Sequence, residues 1–149
     1  MSNKYEDFIN DSWSNHDKKS DEVANNLKNN LNLIETTEQI PGYVSIVIHT
    51  LGGHLGKWEE AKSLLHQISE LEAFDNNQAI YRGLATLSYC LDEEEDFNKY
   101  SKLSSDEASD VRIYAHAASE LTGQGEIEKA TKAFETALSS APDGMTKEN

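Results

Sequence analysis

The run Gly125-Glu-Ile-Glu-Lys-Ala130-Thr-Lys-Ala-Phe134-Glu-Thr-Ala137-Leu138-Ser-Ser-Ala-Pro142 decides the fold. Ala130, Phe134 and Ala137 fall at i, i+4 and i+7, on one face of a helix that Pro142 ends. The two alanines admit a neighbouring helix and the ring of Phe134 fills the gap between them. On this reading Phe134 is buried, and its truncation to Ala costs about 3 to 5 kcal/mol. The pattern recurs upstream in Gly56-Lys-Trp58-Glu-Glu-Ala61-Lys-Ser-Leu64-Leu65-His-Gln-Ile68, with the Gly, an Ala five residues on, and a large apolar residue four after that. Self-similarity of this kind is the signature of a repeat architecture.

Outward from these copies, a period near 3.6 governs most of the chain and predicts an all-α protein. Tyr5, Phe8, Ile9, Ser12 and Trp13 form a first stripe; Val23, Ala24, Leu27, Leu31 and Ile34 form a second, after a polar link over 15–20. Pro41 suits the first turn of a third helix, and Gly52-Gly53 is expected to end it. Tyr43 to Ile48 has strand propensity, but a lone strand among helices has no pairing partner, so context favours helix. Ile80, Leu84, Leu87 and Leu91 stack next, before the acidic turn Asp92 to Asp96 and a short helix with Phe97, Tyr100 and Leu103. Ser104 with Glu107 reads as a capping box for the helix of Val111, Tyr114, Ala117, Ala118 and Leu121. The second helices of four pairs (4–35, 41–72, 76–104 and 106–141) then begin near Ser20, Lys57, Glu93 and Glu126. The tail 142–149 is expected to fray.

With 149 residues, the chain reads as one domain able to bury a sizeable core. Its 27 acidic residues against 13 Lys and Arg give a formal charge of −14, which opposes nucleic acid and anionic lipid and favours basic or amphipathic partners. One cysteine, Cys90, forms no internal disulfide, and the N-terminal stretch lacks a basic region followed by an apolar run, so a cytoplasmic location is expected. No apolar stretch approaches the roughly 18 to 20 residues that span a bilayer.

Tyr114, Ala117, Ala118, Leu121, Gly125, Ala130, Phe134, Ala137 and Pro142 together resemble a tetratricopeptide repeat. Residues 42–75 resemble another through Ile48, Gly56, Trp58, Ala61, Leu65 and Ile68, with His49 where the family has a very small residue. Residues 76–110 keep Tyr81, Leu84 and Ala85 but place Phe97 at the small position; 5–41 keep only Phe8, Ala24 and Leu31. The resemblance implies a right-handed α-α superhelix whose first helices line a concave groove. By that analogy the groove residues are Tyr43, Val47, Thr50, Arg82, Thr86, Arg112, His116 and Ser119. Ile46 and Thr50 occupy the positions where a carboxylate-holding Lys and Asn pair begins, which argues against a clamp for chaperone tails. Arg82, Arg112 and His116 suit an acidic group on a partner; the alternative is surface ion pairs with nearby carboxylates.

No converging acid, base, nucleophile or metal set is visible, so the expectation is a non-catalytic protein-binding adaptor without cofactor or metal. His49 and His54, five apart, project from different faces of an α-helix; His116 and Glu120 share one, but no further ligand is placed beside them. Asp92 to Asp96 lacks the spaced ligands and the Gly of a calcium loop, and Cys90 has no flanking cation to stabilise a thiolate. Trp13 and Trp58 read as packing residues, with Trp13 the alternative contact of a homodimer formed through the N-terminal helices. Two other functions fit the charge: a secretion-type chaperone for a client protein, and an acidic decoy that imitates nucleic acid.

Overall fold

The computed structural model describes residues 4–71, 74, 78–104 and 109–140. Among these there is no strand, and the α-helices are α1 (Lys4–Asn15), α2 (Ser20–Asn29), α3 (Ile40–Val47), α4 (Trp58–Ile68), α5 (Gln78–Cys90), α6 (Glu94–Leu103), α7 (Ser109–Gly123) and α8 (Ile127–Ser140). Short 3-10 turns precede α3, and a π-helical segment, Ile48–His54, continues it. The chain is all-α, and no helix among the described residues is long and apolar enough to cross a membrane.

The stretch with strand propensity is helical because all of it except Ser45 is buried. Ile40, Tyr43, Val44, Ile46 and Val47 of α3 are all in the core, where β-branched side chains pack and helix propensity counts for little. Phe8 of α1 stacks on Tyr43 with centroids 6.0 Å apart, and the Tyr43 hydroxyl donates to the Leu27 carbonyl, tying α1 and α2 to α3. Helix α5 is central, packed against α3, α4, α6 and α7.

Three connections each turn on one left-handed residue. After the π-helical segment, Gly56 N–H bonds the Gly52 carbonyl at 2.8 Å and Lys57 N–H the Leu51 carbonyl at 2.6 Å. The two later connections close one residue tighter, with Glu93 N–H to Ser88 and Glu126 N–H to Leu121 at 2.9 and 3.0 Å. The later two are Schellman closures and the first is their π-helical counterpart, one residue wider; each turns on one residue in the left-handed region. Gly56 (φ 67°), Asp92 (φ 61°) and Gly125 (φ 77°) supply it. The second helices accordingly begin at Ser20, Trp58, Glu94 and Ile127.

Local expectations change at several points. The inward face of α8 is Ala130, Ala133 and Ala137, all buried, while Phe134 is 55% exposed. With three alanines at the seam α7 lies too close for a ring, and the 3.6 period turns residue 134 outward. Gly52-Gly53 does not end the third helix but lies inside its π-helical continuation. The Ser104 hydroxyl donates to the Ser101 carbonyl at 3.0 Å, at the close of α6, and Glu107 lies outside the described residues, as does the tail 142–149. The acidic turn is tied down by cations. Lys62 Nζ is 2.6 Å from both Glu93 and Asp96, and Lys129 Nζ is 3.0 Å from Asp92 and donates to the Cys90 carbonyl at 2.7 Å.

Candidate functional sites

Four of the eight expected groove residues belong to the core. Tyr43, Val47 and Thr50 are 0% exposed and Thr86 is 1% exposed, because helices enclose α3 and α5 on several sides. They present nothing to a ligand. Arg82 and His116 are half-buried, and Arg112 and Ser119 are exposed. Burial pushes the His116 imidazole pKa down; the nearby Glu120 carboxylate opposes this and His49 adds to it. His116 thus faces the interior beside α7's buried carboxylate.

An apolar groove does exist, between α7 and α8. Ala115, Ala118, Ser119 and Thr122 form one wall and Ile127, Ala130, Thr131 and Phe134 the other, around about 470 Å³. Ile127, Thr131, Phe134 and Leu138 follow i, i+4, i+7 and i+11, the spacing of a seam for another helix. Ile127 is 57% exposed, Phe134 55% and Leu138 37%. On the side of this stripe away from the core, the same spacing places Glu128 and Glu135, both exposed.

A second cleft, of about 430 Å³, has Tyr89, Phe97 and Tyr114 in its wall below an acidic rim. Their ring centroids are 5.5 to 5.8 Å apart, so the rings fill the space between one another and leave no cage for a cation.

The densest chemistry lies at the π-helical segment. Leu55 N–H bonds the Thr50 carbonyl at 3.1 Å, an i to i+5 bond that widens the helix by one residue per turn. That widening brings His49 and His54 onto one side, with ring centroids 4.8 Å apart. His16, from the link between α1 and α2, completes a triangle at 4.7 Å from His49 and 4.8 Å from His54. The reading that His49 and His54 diverge holds for an α-helix and fails here. The indole of Trp13 lies 5.3 Å from His16 and 5.5 Å from His49, so this residue packs on the imidazoles.

Each imidazole is held differently. His16 Nδ1 lies 2.7 Å from the Trp13 carbonyl. His49 Nδ1 lies 2.9 and 3.2 Å from the two oxygens of Glu120. A carbonyl or carboxylate only accepts, so both Nδ1 atoms carry the proton and both Nε2 lone pairs are left for another partner. His54 is the most exposed of the three, and the desolvation it does suffer, with the repulsion its protonated form would meet from protonated His49 and His16, depresses its pKa. Glu120 is 3% exposed and fits only because residue 53 is glycine: a Cβ there would sit 2.9 Å from its Oε2. Gln124, one turn on, donates to the Gly53 carbonyl at 2.9 Å and locks α7 to the π-helical segment. Cys90 is elsewhere and inert; burial pushes its thiol pKa up to about 12.

No family model, no curated protein and no solved structure matches the chain.

Proposed function

We propose that the chain is a non-catalytic, cytoplasmic interaction module, a TPR-like array of helix pairs whose α7–α8 face receives an amphipathic helix of another protein. The exposed seam Ile127, Phe134 and Leu138 beside the small side chains of α7 carries this reading. In stacked helix pairs each unit buries such a face against the first helix of the next one. Among the described residues no element covers it here. Small residues on one wall and knobs on the other fit a helix better than an extended peptide. Glu128 and Glu135 at the border, and the net charge of −14, select a helix flanked by Lys or Arg.

The test uses a labelled Leu/Lys amphipathic helical peptide and, as control, its Leu/Glu counterpart. The expected result is binding of the basic peptide alone, with loss on Phe134→Asp. That substitution adds negative charge, so attraction by charge alone predicts equal or tighter binding. Undiminished binding by the variant would reject the α7–α8 face, as would self-association through it measured by sedimentation.

A further inference from the structure

We propose that His16, His49 and His54 bind one divalent transition-metal ion, for which zinc is the best fit, with Glu120 orienting His49 from behind. This site is independent of the α7–α8 face. One ring nitrogen from each of the three histidines lies within 4.8 Å of one from each of the others, and the residues come from the α1–α2 link and the two ends of a π-helical segment. π-Helical turns concentrate at functional sites because the wider turn forfeits good α-helical geometry and persists where something else holds it.

The hydrogen bonds already set the protonation that a metal requires. Nδ1 of His16 faces an acceptor-only carbonyl and Nδ1 of His49 an acceptor-only carboxylate, which directs the lone pair of each ring to Nε2. A buried carboxylate behind a ligating imidazole is the common second layer of zinc sites, where it fixes the ring and raises its basicity. Glu120 has that role here, and Gly53 leaves the room for it. Three imidazoles and no thiolate favour zinc and its late first-row neighbours, while calcium and magnesium prefer oxygen ligands.

Tetrahedral zinc with Zn–N bonds of about 2.0 to 2.1 Å sets its nitrogens about 3.4 Å apart. From separations of up to 4.8 Å the triangle therefore closes by at most about 1.4 Å on binding. His54 is exposed at the last residue of the π-helical segment and His16 lies in a link, so these two rings move while His49 stays fixed on Glu120. The fourth position is left to water. Three neutral ligands leave the ion with its full charge, which Glu120 and the acidic surface balance. Bound there, the ion joins the link after α1 to the π-helical segment and, through Glu120, to α7. It fastens the N-terminal helix pair to the rest of the fold.

The experiment uses the full, tag-free chain stripped with a chelator and titrated with Zn²⁺ by calorimetry and with Co²⁺ by visible absorption. One ion per chain is expected, with the intense d–d bands of four-coordinate cobalt and a rise in melting temperature on adding zinc. His54→Ala, an exposed position whose folding circular dichroism checks, should abolish all three signals. His66→Ala, an exposed histidine outside the cluster, should leave them unchanged. Glu120→Gln keeps an acceptor for His49 and should weaken binding by about 10- to 100-fold with the stoichiometry intact. Absence of saturable one-to-one binding, or undiminished binding in folded His54→Ala, would overturn the site.

Discussion

Gly53→Ala tests the packing of α7 on the π-helical segment, and its cost follows from two opposed terms. A methyl at residue 53 lies 2.9 Å from Glu120 Oε2, 3.1 Å from Cδ and 3.2 Å from Oε1, so the carboxylate must withdraw. Withdrawal breaks its bonds to His49 Nδ1 at 2.9 and 3.2 Å. A hydrogen bond to a charged group is worth about 1.5 to 3 kcal/mol, and Glu120 is 3% exposed, with no solvent to replace it. Against this, Ala in place of Gly within a helix gains about 1 kcal/mol. The net loss is therefore about 0.5 to 2 kcal/mol in the metal-free chain. In a Glu120→Ala background the obstruction is gone and the same change becomes neutral or stabilising by up to about 1 kcal/mol. Urea unfolding of the four proteins of this double-mutant cycle should show a coupling of about 1.5 to 3 kcal/mol. Additivity within about 0.5 kcal/mol would refute the contact between residues 53 and 120.

Three further outcomes are expected. Gly125→Ala meets no atom within 4 Å, so only its left-handed backbone (φ 77°) opposes the methyl; the cost by thermal unfolding is about 1 to 2 kcal/mol, and Gly56→Ala, whose Cβ would lie 2.5 Å from Gln124 Oε1, costs more. The hydrogen bond from Lys62 holds the Asp96 carboxyl below its usual pKa, while Lys62 itself, pulled down by burial, is raised overall by its bonds to Asp96 and Glu93. Stability from Asp96 is thus present above about pH 4 and lost as pH falls through its lowered folded value, and that from Lys62 is present below about pH 10.4 and lost above it. Lys62→Met should flatten both flanks of the stability curve in denaturant titrations from pH 3 to 11. Finally, Cys90, buried with its pKa pushed up to about 12, should react with a disulfide reagent only at the rate of unfolding, and rapid labelling of the native chain would contradict its burial.

Helix number and spacing were legible because both rest on local chemistry. The left-handed Gly56 and Gly125 close their helices wherever the chain goes next, and Asp92 completes the series by holding a left-handed backbone without glycine. Depth within the layers was not legible. Tyr43, Val47 and Thr50 sit on the face that the family analogy leaves open, yet how many neighbours enclose α3 depends on contacts with α1, α4 and α5 and on the Tyr43 hydrogen bond to Leu27 of α2, all from distant sequence. Phe134 was misplaced for a related reason. Period alone allows either Ala130 with Phe134 or Ala130 with Ala133 to face inward, and the close approach of α7 selects the alanines.

The histidine cluster escaped sequence reading through one residue of helical pitch. At about 100° per residue, positions five apart on an α-helix diverge by about 140°, and no site follows. Where each amide reaches back five residues, the same two positions stack. The visible signal was two adjacent glycines, Gly52 and Gly53, enclosed between His49 and His54. Glycines there read as a helix end because they weaken helices, yet the structure uses their missing side chains: the Trp58 ring packs where a Cβ of residue 52 would stand, and Glu120 where one of residue 53 would. The residues that widen the turn therefore also admit the carboxylate that orients His49. His16 arrives from 33 positions earlier and only the packing of α1 and α2 places it, so no sequence pattern local to the glycines contains the third ligand. A metal-dependent rise in melting temperature that shrinks in Gly53→Ala, with zinc affinity lowered about 10- to 100-fold as the His49–Glu120 bond is lost, would tie the helical pitch, the buried carboxylate and the ion into one device. An undiminished rise with unchanged zinc affinity would separate the π-helical turn from the site.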